Sequence, residues 1–397
     1  MSGTSDNRPQ EPIYLDYQAT TPTDPRVVDA MLPWFTRHFG NPHSAEHKIG
    51  WDAAEAVDRA RDAIAAEVGA KGRDILFTSG ATESNNLAIK GVGRFRRAEE
   101  GRDRIVTVAS EHKCVLESAA RLEREGFEVA RLGIGREGLV DPEALGDALD
   151  ERVALVSVMA VNNEIGVIQP LAELAERAHA VGAWFHTDAA QGFGKIALDV
   201  DAHGIDLMSI SGHKIYGPKG IGALYMRRRK PKVQLEPLMD GGGQEKGLRS
   251  GTVPAPLAIG LGKAAEIASR EREAEAERLL GLRERLLARL EAGIEGLFLN
   301  GDRDHRIAGN LNVTIPGLEG QELMAALDGL AVSSGSACSS GAPGASHVLQ
   351  ALGLEAGKVA ASIRLGLGRF TTEEEVERAA DLLVEAANRL KQRRGAA

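Results

Sequence analysis

Residues 74–225 alternate short apolar runs with amphipathic stretches, and this rhythm restricts the possible folds more than any other feature of the chain. The apolar runs have the composition of buried strands; they are 75–78, 104–108, 154–158 and 184–188. The stretches at 117–126 and 170–181 have the spacing of amphipathic helices. Strands that alternate with helices form a mostly parallel sheet covered on both faces. The sequence therefore predicts an α/β fold that binds its ligand beyond the carboxyl ends of the strands.

The alternation ends at three consecutive glycines, 241–243, and a different composition follows. A stretch dense in Arg, Glu and Leu at 266–291 predicts a long helix that leads into a second domain. A chain of 397 residues is long enough for two domains with separate cores. We predict three parts: a flexible tail over 1–12, a large domain over 13–262 and a smaller α+β domain over 263–397.

Charge and hydropathy exclude several partners. The formal charge is −9, and acidic and basic residues are mixed along the chain, which argues against direct nucleic-acid binding and against a membrane surface. No apolar run approaches the roughly 20 residues of a spanning helix, and the polar start lacks the apolar segment of a signal peptide. We expect a cytoplasmic protein.

Two further patterns are weak. The two cysteines, Cys114 and Cys338, cannot build a disulfide framework, and the chain has no Cys-x-x-Cys pair, as expected in a reducing compartment. Residues 132–138 match Gly-x-Gly-x-x-Gly, the dinucleotide pattern. The next predicted helix starts only near residue 141, so we interpret this segment as a surface loop.

The segment 209–220, Ser-Ile-Ser-Gly-His-Lys-Ile-Tyr-Gly-Pro-Lys-Gly, places Lys214 just after an apolar run. A strand at this point delivers the amine into a pocket, where burial weakens its affinity for protons. A neutral amine forms a Schiff base with a carbonyl group. An ordinary surface lysine is the alternative, but a solvated lysine does not need the flanking Ser209, Ser211 and His213. The motif predicts an enzyme with a carbonyl cofactor.

Asp188 ends another predicted strand. Its carboxylate either caps the following helix or holds a proton on a pyridine nitrogen, which a pyridoxal cofactor requires as an electron sink. Asp188 and Lys214 lie at separate strand ends, as the two sides of one ring require. The segment 77–86 follows a strand and opens a helix, so it fits a phosphate site or, equally, a capped helix without a ligand.

His112 also follows a predicted strand. It is either a core or surface histidine or, in a pyridoxal site, a ring that stacks on the cofactor and transfers protons. A metal site built from His112, Cys114, Asp188 and His213 is a further alternative, but their spacing matches no known ligand set. We expect no metal.

A loop of small residues over 333–345 contains the second thiol, Cys338. A flexible linker with an incidental cysteine is one interpretation. The other is a nucleophile that reaches into a site and carries its product out. Downstream, Arg364 has the side chain suited to clamp a substrate carboxylate.

Taken together, these segments resemble the cysteine desulfurases of the NifS/IscS-like group, within the class V aminotransferase family of fold-type I pyridoxal phosphate enzymes. The resemblance covers residues 14–390, nearly the whole chain. Its motifs are Tyr14-Leu15-Asp16-Tyr17, Ala19-Thr20-Thr21-Pro22, Phe39-Gly40-Asn41-Pro42, 78–86, Val161-Asn162-Asn163-Glu164-Ile165-Gly166, 211–222, Arg249-Ser250-Gly251-Thr252 and 333–339.

The resemblance implies a role for each matching position in binding pyridoxal 5'-phosphate. Lys214 holds the cofactor, Asp188 faces the pyridine nitrogen, Gln191 faces the phenolic oxygen and His112 stacks on the ring. The residues implied at the phosphate are Ala81, Thr82, Ser211 and His213, with Thr252 from the second subunit of a homodimer. Asn163 and Arg364 are implied to orient the substrate carboxylate.

The implied reaction converts L-cysteine to L-alanine. The Cys338 thiolate attacks the substrate sulfur and carries it as a persulfide to an acceptor, such as an iron–sulfur scaffold or a tRNA-thiolation relay. Cys114 is interpreted as a buried thiol. Two rivals remain: an aminotransferase or selenocysteine lyase that does not depend on Cys338, and a scaffold-bound subunit that is weakly active until a partner docks.

Overall fold

The computed structural model describes residues 12–334 and 345–395. The strands in these ranges are β1 Ile13–Tyr14, β2 Ile75–Thr78, β3 Arg104–Val108, β4 Glu128–Leu132, β5 Val153–Ser157, β6 Trp184–Asp188, β7 Leu207–Ser211, β8 Gly222–Met226, β9 Phe298–Leu299, β10 Asn310–Thr314, β11 Leu330–Ala331 and β12 Ser362–Gly366. The α-helices are α1 Pro25–Met31, α2 Pro33–Thr36, α3 Lys48–Glu67, α4 Ala81–Asn86, α5 Val92–Glu100, α6 Lys113–Arg124, α7 Pro142–Asp147, α8 Leu171–Ala180, α9 Ala255–Gly293, α10 Gly320–Ala326, α11 His347–Ala351, α12 Ala356–Ala360 and α13 Glu373–Gly395. A π-helical turn, Leu87–Gly91, joins α4 to α5.

The central sheet has seven strands in the order β2-β8-β7-β6-β5-β3-β4. Only β8 runs against its neighbours, β2 and β7. Strands β5 to β8 are buried along their whole length because helices cover both faces, which explains why apolar residues predominate in them. The predicted α/β fold with a mostly parallel sheet is confirmed.

A second core surrounds a smaller antiparallel sheet of β9, β10 and β12. The first strand, β1, pairs in parallel with β11, and Ile13 and Leu15 are buried in this second core. The beginning of the described chain thus packs beside its C-terminal third. The division at residues 262 and 263 stays a prediction.

Helix α9 connects the two cores and begins well before the start predicted at 266. Its first half contributes Ala258 and Leu261 to the core of the central sheet. Its second half contributes Leu286 and Leu290 to the second core. No helix in residues 12–334 and 345–395 has both the length and the apolar character needed to cross a lipid bilayer.

The topology brings the loops after six strands to one edge of the central sheet. Because β2 and β7 both pair antiparallel with β8, β2 runs in the same direction as the parallel strands. The chain therefore leaves β2, β3, β4, β5, β6 and β7 at the same edge. In open α/β sheets this edge is where ligands bind.

Candidate active site

A pocket of about 500 Å³ lies at this edge. It is lined by nine of the side chains proposed from the sequence: Ala81, Thr82, His112, Asn163, Asp188, Gln191, Ser211, His213 and Lys214. The topology explains the convergence, since these residues lie at the end of a strand or within six residues after it.

Lys214 ends a 3₁₀ turn, Gly212–Lys214, that follows β7. Its Nζ donates to the carbonyl oxygens of Gln18 at 2.6 Å and Ala19 at 2.7 Å. These carbonyls belong to the segment after β1, which crosses the pocket. The amine is therefore half-buried and held in a defined position at the pocket wall.

Asp188 contributes a carboxylate to the pocket, and this residue is only 4% exposed. Its Oδ2 accepts a hydrogen bond from Asn85 Nδ2 at 2.7 Å, and its Oδ1 accepts one from the Ala190 backbone at 2.9 Å. Both bonds fix the plane of the carboxylate. A buried carboxylate held in this way suits a protonated ring nitrogen.

His112 caps the N-terminus of α6. Its Nδ1 accepts the backbone N–H of Cys114 at 3.2 Å and lies 3.0 Å from the Cys114 sulfur. Because Nδ1 accepts an amide proton, the neutral ring carries its own proton on Nε2. The Cys114 thiol, predicted to be buried, is half-buried, lines the pocket and accepts from Asn85 Nδ2 at 3.1 Å.

The other end of the pocket suits an anion. Helix α4 begins there after Gly80, with no side chain capping its first turn, so its backbone N–H groups can face a phosphate. His213 Nδ1 lies 2.9 Å from the Thr20 hydroxyl. Burial lowers the pKa of His213 to about 4, and the charges of Lys214 and Lys219 act in the same direction. His213 is therefore neutral near pH 7 and contributes a hydrogen bond rather than a charge.

Gly222, the first residue of β8, allows the backbone at Gly80 to pack closely against β8 at this end of the pocket. A Cβ atom at this position would lie 2.4 Å from the Ile210 carbonyl oxygen and 2.6 Å from the Gly80 Cα. Both contacts are with backbone atoms, which cannot rotate away. The start of α4 reaches its position only because residue 222 has no side chain.

Two proposed substrate residues lie in different environments. Asn163 lines the pocket, and its Oδ1 is buried with no hydrogen-bond partner in the described residues. Arg364 is fully buried behind it and does not line the pocket. The Arg364 guanidinium donates to the Asn163 carbonyl at 2.9 Å and to Asp16 at 2.7 Å. Its role as a carboxylate clamp stays a prediction.

Two other proposed positions are outside this pocket. Thr252 is exposed and does not line it. Cys338 lies outside the described residues, as does most of the predicted loop over 333–345.

Two buried carboxyl groups lie next to the site residues in the sequence. Burial raises the pKa of Glu111 well above its ordinary value, although the hydrogen bond from the Met159 backbone opposes the shift. Burial also raises the pKa of Glu164 to about 7, against a hydrogen bond from Ser346. Glu111 therefore keeps its proton to a higher pH than an ordinary glutamic acid, and Glu164 is close to its midpoint near pH 7.

Sequence reasoning missed several residues of the site. Gln18 contributes a backbone carbonyl, for which no side-chain pattern exists. Asn85 lies one helical turn after Ala81 and belongs to the segment proposed for phosphate, but its contact is with Asp188. Lys219 also lines the pocket, and although it belongs to the segment 209–220, no role was predicted for it.

These groups fit pyridoxal phosphate. The pocket offers an amine for the carbonyl, a buried carboxylate for the ring nitrogen, a histidine ring and an open helix start for the phosphate. Among the His, Cys, Asp and Glu side chains of the described ranges, no group of three or more is arranged to hold a metal ion. The fold and the site together define a fold-type I pyridoxal phosphate enzyme.

Comparison with known proteins identifies the family. The sequence profile of the family "Aminotransferase class-V" matches residues 13–379. A curated relative, "Cysteine desulfurase IscS" of Rickettsia bellii, is 53% identical over 380 residues, which covers 96% of this chain and 92% of the relative. A solved structure named "NifS-like protein" superposes with a TM-score of 0.87 at 35% identity and covers 96% of this chain and 99% of its own. Another, "SspA in complex with cysteine", has a TM-score of 0.79 at 37% identity, with 90% and 99% covered.

The chain therefore belongs to the aminotransferase class-V family, in its NifS/IscS-like group of pyridoxal-phosphate-dependent cysteine desulfurases. The resemblance drawn from the sequence motifs is confirmed at the level of the family, the fold and the cofactor.

Proposed function

We propose that this enzyme removes sulfur from L-cysteine, releases L-alanine and holds the sulfur as a persulfide on Cys338. The observation that carries the proposal is the pairing of Lys214 and Asp188 around one pocket at the carboxyl edge of the sheet. The names of the relatives support the substrate, since one is called a cysteine desulfurase and one structure contains cysteine.

Lys214, Asp188 and His112 have different roles in the proposed reaction, and each role follows from the chemistry of the side chain. The bound cofactor supplies an electron sink for the substrate carbons. Lys214 holds the cofactor and later moves protons at those carbons, because its amine can alternate between base and acid. Asp188 keeps a proton on the ring nitrogen. His112 exchanges protons through Nε2, since Nδ1 is occupied by the Cys114 backbone.

Sulfur transfer follows from the chemistry of a thiolate. Cys338 attacks the substrate sulfur, the bond between carbon and sulfur breaks, and its electron pair stays with the carbon. A proton delivered to that carbon completes the methyl group of alanine. The sulfur is left bound to Cys338 as a persulfide.

Both ends of the segment that contains Cys338 are anchored beside the site, which supports this assignment. Before it, Ser333 exchanges backbone hydrogen bonds with Arg364, at 3.3 and 2.7 Å. After it, Ser346 donates to Glu164, and His347 Nε2 lies 2.9 Å from the Glu111 carbonyl. Arg364 and Glu111 are themselves neighbours of Asn163 and His112, respectively.

A second copy of the chain is the partner that completes the proposal. Large apolar side chains are exposed around α1 to α3; they are Leu32, Phe35, Phe39, Ile49 and Trp51, and Phe39 is 69% exposed. A patch of this kind is typical of an interface. In a homodimer we assign Thr252 to the phosphate site of the other subunit, which agrees with its exposure in a single chain.

We further propose that the enzyme works in the cytoplasm and passes sulfur to an iron–sulfur scaffold or another acceptor protein. A reactive thiol and the absence of a disulfide framework suit a reducing compartment. Direct contact with nucleic acid or with a membrane is not part of the proposal.

The decisive experiment measures sulfide and alanine released from L-cysteine with a thiol reductant, for the wild type and Cys338→Ser. We expect equal amounts of both products from the wild type, and a yellow but inactive variant. Since Cys114 is the only other cysteine, mass spectrometry of the trapped persulfide assigns the sulfur to one of the two positions.

Full activity of Cys338→Ser, or a 2-oxo acid as the product, would replace the proposal with a lyase or an aminotransferase. Sulfide release that rises steeply only with an added acceptor protein would favour the scaffold-bound subunit.

The dimer is tested by mixing two impaired variants, Lys214→Ala and Thr252→Ala, under conditions that exchange subunits. One site of each mixed dimer then has both residues intact, so activity should exceed that of either parent. The control mixes Thr252→Ala with the double variant, which cannot restore any site. Equal activity in the two mixtures would contradict the shared site.

A further inference from the structure

A second lysine, Lys195, lies behind the active-site pocket. It lines a separate cavity of about 40 Å³, together with Tyr17, Tyr216 and Glu275. Gln18 lies between the two cavities and lines both. Lys195 is thus close to the pocket that holds Lys214 without being part of its wall.

The contact of Lys195 is with a pocket residue. Its Nζ donates to Gln191 Oε1 at 2.6 Å, and the two residues are one turn apart in the segment after β6. Gln191 Nε2 in turn donates to the Gln18 carbonyl at 2.8 Å. The same carbonyl accepts from Lys214 Nζ at 2.6 Å. One short chain of hydrogen bonds therefore joins the two lysines.

This contact and the Gln18 carbonyl together decide which way the Gln191 amide points. In its protonated form Lys195 has donors only, so it binds the amide oxygen and leaves the amide nitrogen on the other side. That nitrogen has two hydrogens, and the Gln18 carbonyl takes one of them. The second remains for an acceptor in the pocket, which Gln191 lines.

We propose that Lys195 is a positioning residue that fixes Gln191 with its donor side toward the phenolic oxygen of bound pyridoxal phosphate. The proposal rests on the site proposed above and adds a residue that does not touch the cofactor. A fixed donor stabilises the more anionic form of that oxygen.

An ion pair does not explain the buried amine. No carboxylate in the described ranges pairs with Lys195, and its Nζ donates to a neutral amide. Burial lowers the pKa of Lys195 to about 7; the charges of Lys214 and Arg364 act in the same direction, and Glu275 opposes them. A buried amine without a paired charge does not stabilise the fold electrostatically. The hydrogen bond of Lys195 to Gln191 is the contact through which it acts.

The test titrates the visible absorbance band of the holoenzyme with pH for the wild type and Lys195→Met. Loss of one hydrogen bond to the cofactor should raise the pH midpoint of the band by about 0.5–1 unit. Pyridoxal phosphate should also bind the apoenzyme several-fold more weakly in a fluorescence titration. Lys263→Met, which removes a lysine from the surface of α9, is the control and should match the wild type.

A double-variant comparison separates positioning from a direct effect of charge. In the Gln191→Met background, Lys195→Met should add no further shift, because the residue that transmits the effect is gone. An additive shift, or a Lys195→Met midpoint equal to that of the wild type, would overturn the proposal. If Lys195→Met does not fold, Lys195→Gln is compared in both backgrounds by the same criterion. Since the readout is absorbance, the inference can fail while cysteine is still converted to alanine.

Discussion

The burial of Glu111 determines both the sign and the size of the change in folding stability that we expect when it is replaced. The side chain is fully buried, and its Oε1 accepts the Met159 backbone N–H at 2.6 Å. Because burial raises the pKa of Glu111 and so favours its protonated form, Glu111→Gln replaces that neutral form by another neutral group and preserves the acceptor. Glu111→Ala removes the acceptor and should cost about 2–4 kcal/mol, from an unsatisfied N–H and a cavity.

The pH dependence of folding stability shows whether the Glu111 carboxyl is protonated or ionised in the folded protein. Above the unfolded pKa of about 4.3, the unfolded chain loses the Glu111 proton while the folded chain keeps it. Folding stability therefore falls as pH rises, by up to about 1.4 kcal/mol per pH unit, until the folded pKa is reached. Glu111→Gln does not carry this loss, so it should gain stability relative to the wild type at each step from pH 5 to pH 7.

The assay is urea denaturation of the holoenzymes at pH 5, 6 and 7, with Glu117→Gln as the control. Glu117 is exposed on α6, so its replacement should change stability by less than about 0.5 kcal/mol. Parallel pH curves for the wild type and Glu111→Gln would refute the reasoning, because they would mean that Glu111 is ionised in the folded protein.

Three further predictions test the site. Glu164→Gln should also gain stability relative to the wild type as pH rises from 5, but the gain should level off above pH 7, because the folded pKa is about 7; the same urea series extended to pH 8 shows whether it does. Asp188→Asn should stay folded, since the Asn85 amide can turn its unpartnered oxygen toward the new group, yet lose at least about 100-fold in turnover; a loss under threefold would contradict the ring-nitrogen assignment. Gly222→Ala should weaken pyridoxal phosphate binding more than tenfold and cost about 1–3 kcal/mol of stability, and an unchanged cofactor titration would show that the backbone there can give way.

The site residues that could be predicted from the sequence lie at the ends of predicted strands. Lys214 and Asp188 were identified because each follows a buried apolar run, and a parallel sheet brings such ends together. Asn85 and Lys195 carry no comparable local signal. Their contacts with Asp188 and Gln191 depend on how α4 and the segment after β6 pack in three dimensions.

The fold shows the same limit. Three of the four strands predicted in the alternating region have the expected bounds, and β5 lies one position earlier than expected. The helix predicted at 117–126 is α6, which begins four residues earlier. The first part of α9 was missed because residues 255–265 are small and apolar on every side, so they show no amphipathic period. The pairing of β1 with β11 joins positions more than 300 residues apart, which no local pattern encodes.

Helix α9 has a consequence for how the enzyme keeps its reacting groups in register. Its 39 residues span about 58 Å and are embedded in both cores. Lys214 belongs to the body around the central sheet, whereas Ser333, where the chain departs toward Cys338, is bonded to β12 in the other body. Any rotation of one body against the other must bend this helix or break its packing. The helix therefore fixes the distance between the Lys214 amine and Ser333, where the segment that contains Cys338 begins.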